Sequence, residues 1–124
     1  MRGEKLVDAW VEHAIYTYYE PEWEKLIQKA VWKELKVKEQ LDENLSVRLE
    51  FFLTKNRYES RLDLDNMIKT VIDSLNADEH EERTEYPIYD DSWVMNIEAT
   101  KIASEEKDNF HKEKTHIEIW KWNH

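Results

Sequence analysis

Residues 61–76, RLDLDNMIKTVIDSLN, place two aspartates two residues apart at the start of a predicted helix. The apolar residues of this stretch recur at the three- and four-residue spacing of a helix packed on one side: Leu64, Ile68, Val71, Ile72 and Leu75. Asp65, Lys69 and Asp73 follow a different stripe, four residues apart. Residues two apart on a helix are rotated by about 200°, so Asp63 and Asp65 can converge only where the chain enters the helix. The stretch therefore predicts either a capped helix or the start of an acidic active site.

The composition predicts one soluble domain over residues 1–124 and excludes several classes of function. The chain has no cysteine, which excludes disulfides and thiolate zinc sites. Its single glycine excludes the phosphate loops of nucleotide-binding proteins, which need several glycines. No apolar run approaches the roughly 18 residues that span a membrane, so we expect a cytoplasmic protein without a membrane partner. The net charge of -10 argues against nonspecific binding of nucleic acid, which depends on lysine and arginine.

The rest of the chain alternates helical and extended patterns. In chain order we predict a helix from Pro21 to near Lys38, a strand over 45–53, a polar turn over 55–60, a solvated acidic loop over 77–87, a strand from residue 93, and a last strand over 116–122. Residues 1–20 fit a helix or an extended chain equally, so their type stays open. This order predicts an α+β or mixed α/β domain, with helices packed on a small mixed sheet.

A third acidic site lies at Asp90 and Asp91, directly before the predicted strand from residue 93. If the alternation of that strand is extended backwards, Asp91 lies on the same side as Met95, the side that a packed helix would cover, and Asp90 points away. Asp91 is therefore the candidate to meet Asp63 and Asp65.

Three clustered carboxylates repel one another unless a cation lies among them, and Mg²⁺ prefers carboxylate oxygens. Such a site would polarise a phosphodiester and activate water, and Lys69 could stabilise charge on the phosphate. Spacing alone leaves an alternative open. In that interpretation Asp63 or Asp65 is a helix N-cap, Lys69 pairs with a neighbouring aspartate, and Asp90 and Asp91 form a turn.

The combination of DLDNMIKTVIDSLN at 63–76 with DDSWV at 90–94 closely resembles the signature of the RusA family of Holliday junction resolvases. The resemblance implies a RusA-like fold and a homodimeric endodeoxyribonuclease that cuts branched DNA at four-way junctions with Mg²⁺, for which Mn²⁺ can substitute. Family members act in DNA recombination and repair and are common in phages and prophages. The positions that match the family's catalytic residues are Asp63, Asp65, Lys69 and Asp91, and the three aspartates among them would bind the metal.

Two pairs of residues outside the signature could contact DNA. Arg57 and Arg61 border the first motif and are candidates for phosphate contacts, with a solvated turn as the alternative for either. Trp120 and Trp122 share one face of the last predicted strand and could stack on bases, although burial in the core or in an interface is the favoured interpretation.

Two other functions stay open from the sequence. The first is a catalytically inactive RusA-like protein that acts as a binding or regulatory module, which would explain the acidic residues between the motifs and the lack of a basic segment at the start. The second is a structural α+β domain whose aspartates only cap a helix.

Overall fold

The computed structural model describes residues 1–36, 38–77, 85–104 and 112–123, and it shows the predicted α+β fold. The elements in chain order are β1 (Arg2–Glu12), α1 (Pro21–Glu34), β2 (Leu45–Leu53), α2 (Lys55–Glu59), α3 (Leu64–Leu75), β3 (Val94–Ala103) and β4 (Lys114–Trp122). The strands form a mixed sheet in the order β1-β4-β2-β3. β2 and β3 are parallel, with α3 in the connection between them, and β4 is antiparallel to both of its neighbours.

One face of the sheet and the apolar stripes of α1 and α3 form a single core. The fully buried side chains of β2 are Leu45, Val47, Leu49, Phe51 and Leu53, as the alternation of residues 45–53 predicts. Trp23 and Ile27 of α1 and Met67 and Val71 of α3 pack against them. Burying each large apolar side chain stabilises the fold by about 1.5–3 kcal/mol. The core therefore fixes the position of α3, the helix that carries the acidic motif.

The first helix is four residues shorter than the sequence predicts. It ends at Glu34, and Leu35 already has an extended backbone with ψ of 120°. Lys38, the predicted end, folds its side chain back and donates from Nζ to the carbonyl oxygens of Trp32 at 2.6 Å and Lys33 at 3.0 Å. A lysine at this place satisfies carbonyl groups that the helix itself leaves free.

Residues 2–12, whose type the sequence leaves open, form an edge strand. Val7, Ala9 and Val11 alternate as buried residues and face the core, and the strand pairs along its length with β4. The polar turn predicted over 55–60 contains a short helix, α2, so the prediction of a simple turn is wrong there.

The prediction of which residues of β3 face the core is partly wrong. Leu45 pairs with Val94 and Ser46 with Asn96, so Met95 is an extra residue that shifts the register. As a result Val94 packs against the core, and Met95 stays 46 % exposed instead of lying under a helix. A bulge of this kind reverses the faces of all residues before it, so an alternation extended through it gives the wrong side.

The segment before β3 is tied to the C-terminal end of α3. The backbone N–H of Ile88 donates to the carbonyl oxygen of Leu75, and the carbonyl oxygen of Ile88 accepts from the N–H of Ala77, both at 2.8 Å. The backbone N–H of Leu41 donates to the carbonyl oxygen of Pro87. These contacts hold the ends of the predicted acidic loop, whose residues 78–84 lie outside the described part of the chain. They also fix the position of the segment that leads to residues 90 and 91.

Candidate active site

Asp63 is the N-cap of α3. Its Oδ1 accepts the backbone N–H of Asp65 at 2.9 Å, and its Oδ2 accepts from the side-chain amide of Asn66 at 3.2 Å. Both oxygens therefore point at the first turn, where the helix dipole also favours negative charge. The interpretation of Asp63 as a cap is confirmed. A carboxylate has about four lone-pair positions, so the cap does not exhaust its ability to bind a cation.

Asp65 and Lys69 are exposed one turn apart on α3. Within the described part of the chain, neither side chain has an ion pair, so the surface pair of Lys69 with Asp65 or Asp73, which belongs to the alternative interpretation, is not formed. The chain thus presents a carboxylate and an ammonium group to solvent, next to the capping carboxylate of Asp63.

Asp91 lies at the opposite end of α3. It begins a 3-10 turn, Asp91–Trp93, capped by the side chain of Asp90, and not a strand, so the alternation that favoured it over Asp90 does not apply. Its backbone N–H donates to Oδ1 of Asn76, the C-cap of α3, at 3.1 Å. The two caps of the helix are about 20 Å apart at a rise of 1.5 Å per residue. The chain therefore holds Asp91 close to the end of α3 that is remote from Asp63.

Among the described residues, the three predicted aspartates do not form a compact group. The group of three ligating side chains whose atoms all lie within 4.8 Å of one another is Asp8, His116 and Glu118. It lies on the sheet face opposite the core. The sequence patterns missed it: the histidines show no ligand spacing, and the residues meet only because β1 pairs with β4.

Cations already balance the carboxylates of this group. Glu118 is nearly buried and lies 2.9 Å from Lys5 and 2.7 Å from Arg48. Burial raises its pKa, but the hydrogen bonds from Lys5 and Arg48 outweigh burial and lower it overall. Asp8 and Glu50 lie 2.6 Å and 2.7 Å from the two ring nitrogens of His116. This arrangement is typical of an ion network that stabilises the sheet.

Burial of His116 lowers its pKa, and the carboxylates of Glu50 and Asp8 outweigh that effect and raise it above the ordinary value. The same hydrogen bond from His116 lowers the pKa of Asp8. Because each ring nitrogen faces a carboxylate, both contacts are hydrogen bonds only when the imidazole is protonated. His116 therefore acts here as a cation between two strands.

A groove of about 430 Å³ runs beside the acidic motif. Its walls are the segment before α1 and one stripe of α3, and the lining residues are Thr17, Tyr18, Tyr19, Glu24, Asn66, Lys69, Thr70, Asp73, Ser74 and Asn76. Lys69 lies in this groove and Asn76, the partner of Asp91, lines it as well. The groove therefore follows α3 from Asn66, next to Asp65, to Asn76, and none of the three predicted aspartates is among its lining residues.

The other predicted DNA contacts have different surroundings. The guanidinium of Arg57 donates through Nε to both carboxylate oxygens of Glu113, at 3.1 and 3.0 Å, and through Nη2 to the carbonyl oxygen of Ile15. Arg61 is exposed at the end of α2 with a positive φ of 60°. These contacts favour a structural role for Arg57 and leave Arg61 at the surface. Trp120 and Trp122 are half-buried on β4.

The fold is a small α+β domain with an acidic motif at the start of helix α3. The family described as Endodeoxyribonuclease RusA matches residues 7–119. The chain belongs to this family, which confirms the resemblance of the two motifs and implies a nuclease that depends on a divalent metal ion. No curated protein matches the chain. No helix among the described residues is both long and apolar enough to cross a membrane.

Proposed function

We propose that this protein is a magnesium-dependent, structure-selective endodeoxyribonuclease that cuts four-way DNA junctions as a homodimer. The match to the RusA family over residues 7–119 carries the proposal. The exposed Asp65 and Lys69 beside the capping Asp63 support it, because they are the charged groups of the motif and they are accessible to a DNA strand. Such an enzyme would act in recombination and repair of DNA in the cytoplasm, in a cell or a prophage.

The donor groups at the start of α3 fit Mg²⁺. This ion takes oxygen ligands and usually binds one or two carboxylates, with waters and substrate phosphates in its other positions. Asp63 and Asp65 supply two carboxylates at a site open to solvent, which is the number this ion usually takes, whereas the structure holds Asp91 near the other end of α3. A bound magnesium ion would polarise the phosphodiester and lower the pKa of water.

Lys69 would stabilise the charge that develops during hydrolysis. A water oxygen forms a bond to phosphorus as one ester P–O bond breaks, so negative charge increases on the phosphate and on the leaving oxygen. Lys69 lies one turn from Asp65 and has no ion-pair partner among the described residues, so its ammonium group is available to the phosphate. Asp63 would hold the helix entry in place through its hydrogen bonds to the first turn.

Cleavage of a mobile four-way junction with Mg²⁺ at low salt tests this function. We expect paired incisions by the wild type and none by Asp65→Asn. Asp91→Asn should also be inactive, whereas Asp90→Asn keeps a capping oxygen for Ser92 and should stay active. If the wild type cuts neither junctions, flaps nor duplex, the proposal is wrong. Activity of Asp91→Asn would remove that residue from the site and leave Asp63 and Asp65.

Two observations favour a second candidate, a catalytically inactive RusA-like protein that has lost its affinity for DNA and acts as a binding or regulatory module. The net charge is -10, and the three aspartates do not group among the described residues. A junction titration at several salt concentrations separates the two candidates: the affinity of the nuclease should weaken steeply with salt, whereas the second candidate should show no salt-dependent affinity. Arg61→Ala should reduce the slope of that dependence by about 1 if Arg61 contacts a phosphate.

A further inference from the structure

The groove beside Lys69 has an aromatic wall that the acidic motif does not account for. Tyr18 and Tyr19 line it and are 62 % and 68 % exposed, whereas most large apolar and aromatic side chains of the domain are buried or half-buried. The two rings lie in the segment between β1 and α1, on the side of the groove opposite Asn66 and Lys69 of α3.

Tyr18 packs against other aromatic rings, and Tyr19 lies close to the carboxylate of Glu24. The ring of Tyr18 contacts the edge of Tyr16, with centroids 5.3 Å apart at 65°, and Tyr16 in turn packs 5.9 Å from the buried Trp23. The Glu24 carboxylate, through its charge and a hydrogen bond, raises the pKa of Tyr19. Glu24 is itself buried and accepts from Gln28 and Tyr86. Rigid exposed rings lose little conformational entropy when a flat ligand stacks on them.

The charges in the groove favour one orientation of a nucleotide. The α3 wall carries one cation, Lys69, and one carboxylate, Asp73, a turn further along the helix, so a phosphate is favoured only at the N-terminal end of that wall, beside Asn66 and Lys69. Glu24 lies on the tyrosine side, where it would repel a phosphate but not an uncharged base. A nucleotide with its phosphate near Lys69 would therefore direct its base to Tyr18 and Tyr19.

We propose that Tyr18 and Tyr19 form a stacking platform for a DNA base that leaves the helical stack at the branch point, next to the phosphate held by Lys69. This inference rests on the proposed function and adds the residues that select branched over continuous DNA. It also gives an acidic chain a source of affinity that does not depend on counterion release, because every base has a face on which an aromatic ring can stack.

The test compares the affinity of full-length variants for a four-way junction and for duplex of equal length, in buffer with EDTA so that no strand is cut. Replacing Tyr18 and Tyr19 together by Ala should weaken junction binding by about 5- to 100-fold, the range measured for loss of a stacking contact. Replacing both by Phe should preserve affinity. Tyr58→Ala removes an exposed tyrosine of α2 that does not line the groove, so it is the matched control.

Two further measurements identify the contact as stacking. The slope of log Kd against log salt should be the same for the double Ala variant and the wild type, since no charge is lost. A junction with 2-aminopurine beside the branch point should lose fluorescence on binding wild type and the Phe variant, but not the Ala variant. Thermal unfolding of each variant checks that the fold is intact, which the exposure of both rings predicts.

The outcomes separate this inference from the proposed function. If the wild type binds and cuts the junction while the double Ala variant binds equally well, the stacking platform is wrong and the nuclease assignment stands. An equal loss of affinity for duplex and junction would also overturn it, because the tyrosines would then not read the branch. If the wild type neither binds nor cuts any junction, the proposed function fails and the inference fails with it.

Discussion

Removal of the Arg57 guanidinium should destabilise the fold and leave the salt dependence of DNA binding unchanged. The side chain of Glu113 is 0 % exposed, and Arg57 is its cation. Arg57→Ala deletes the contact of Nε with both oxygens of Glu113 and leaves a buried carboxylate with two backbone donors, the N–H groups of Ile15 at 3.2 Å and Thr54 at 2.9 Å. The perturbation therefore tests whether this arginine joins β1, β2 and β4 or contacts a phosphate.

The expected cost follows from the surroundings of the pair. Removing one partner of a buried ion pair typically costs about 3–5 kcal/mol. The two remaining donors and the partial exposure of Arg57 reduce that figure, so we expect a loss of about 2–3 kcal/mol in the free energy of unfolding. The unfolding entropy of a domain of this length converts that loss into a fall of about 10 °C in Tm.

Urea and thermal denaturation followed by circular dichroism measure the effect. Lys55→Ala, an exposed cation of the same short helix, is the matched control and should change stability by less than about 0.5 kcal/mol. Arg57→Lys keeps the charge but lacks the planar guanidinium that bonds Glu113 and the carbonyl of Ile15 together, so its stability should lie between those of the wild type and Arg57→Ala. Unchanged stability of Arg57→Ala, together with a salt slope reduced by about 1, would refute the reasoning and establish Arg57 as a phosphate contact.

Three other perturbations test different parts of the structure. Asp63→Ala should lose about 0.5–2 kcal/mol of stability through the missing cap, whereas Asp63→Asn should keep most of it, as urea denaturation can measure. His116 has a raised pKa, so its contribution to the stability of the fold is complete below about pH 6.5 and is lost as the pH rises through the raised pKa. The difference in stability between the wild type and His116→Gln should therefore shrink from pH 5.5 to pH 9. A constant difference would contradict the ion network. Phe51→Ala should cost about 3–5 kcal/mol, and a cost under 1 kcal/mol in the same assay would mean that the centre of the core is not as close-packed as described.

Local sequence patterns correctly predicted the elements that pack one regular face against the core. Strand β2 has the predicted bounds because every second residue faces the core and no bulge interrupts it. Helix α3 follows its apolar stripe, and the cap at Asp63 follows from the aspartate before that stripe. In these segments the period of the sequence and the period of the structure agree, so the pattern is sufficient.

Contacts between segments far apart in the sequence determine the features that the sequence patterns left open or predicted wrongly. Residues 2–12 are extended because β4, more than 100 residues later, pairs with them. Met95 changed face because one register shift against β2 intervenes, and the position of Asp91 depends on a hydrogen bond to Asn76. The alternation of apolar and polar residues in this region indicates neither the register shift nor the hydrogen bond. The spacing of the aspartates therefore identified the family signature but not the distance between its parts.

The place of β4 in the sheet has a consequence for how the chain reaches its native state. Strand β4 lies between β1 and β2, so β1 has no partner and β2 has only β3 until residues 114–122 have been made. Until then β1 is not joined to the rest of the sheet. The four-stranded sheet can therefore be completed only when nearly the whole of this sequence has left the ribosome, and the long-range pairing of β1 with β4 is intrinsically slow.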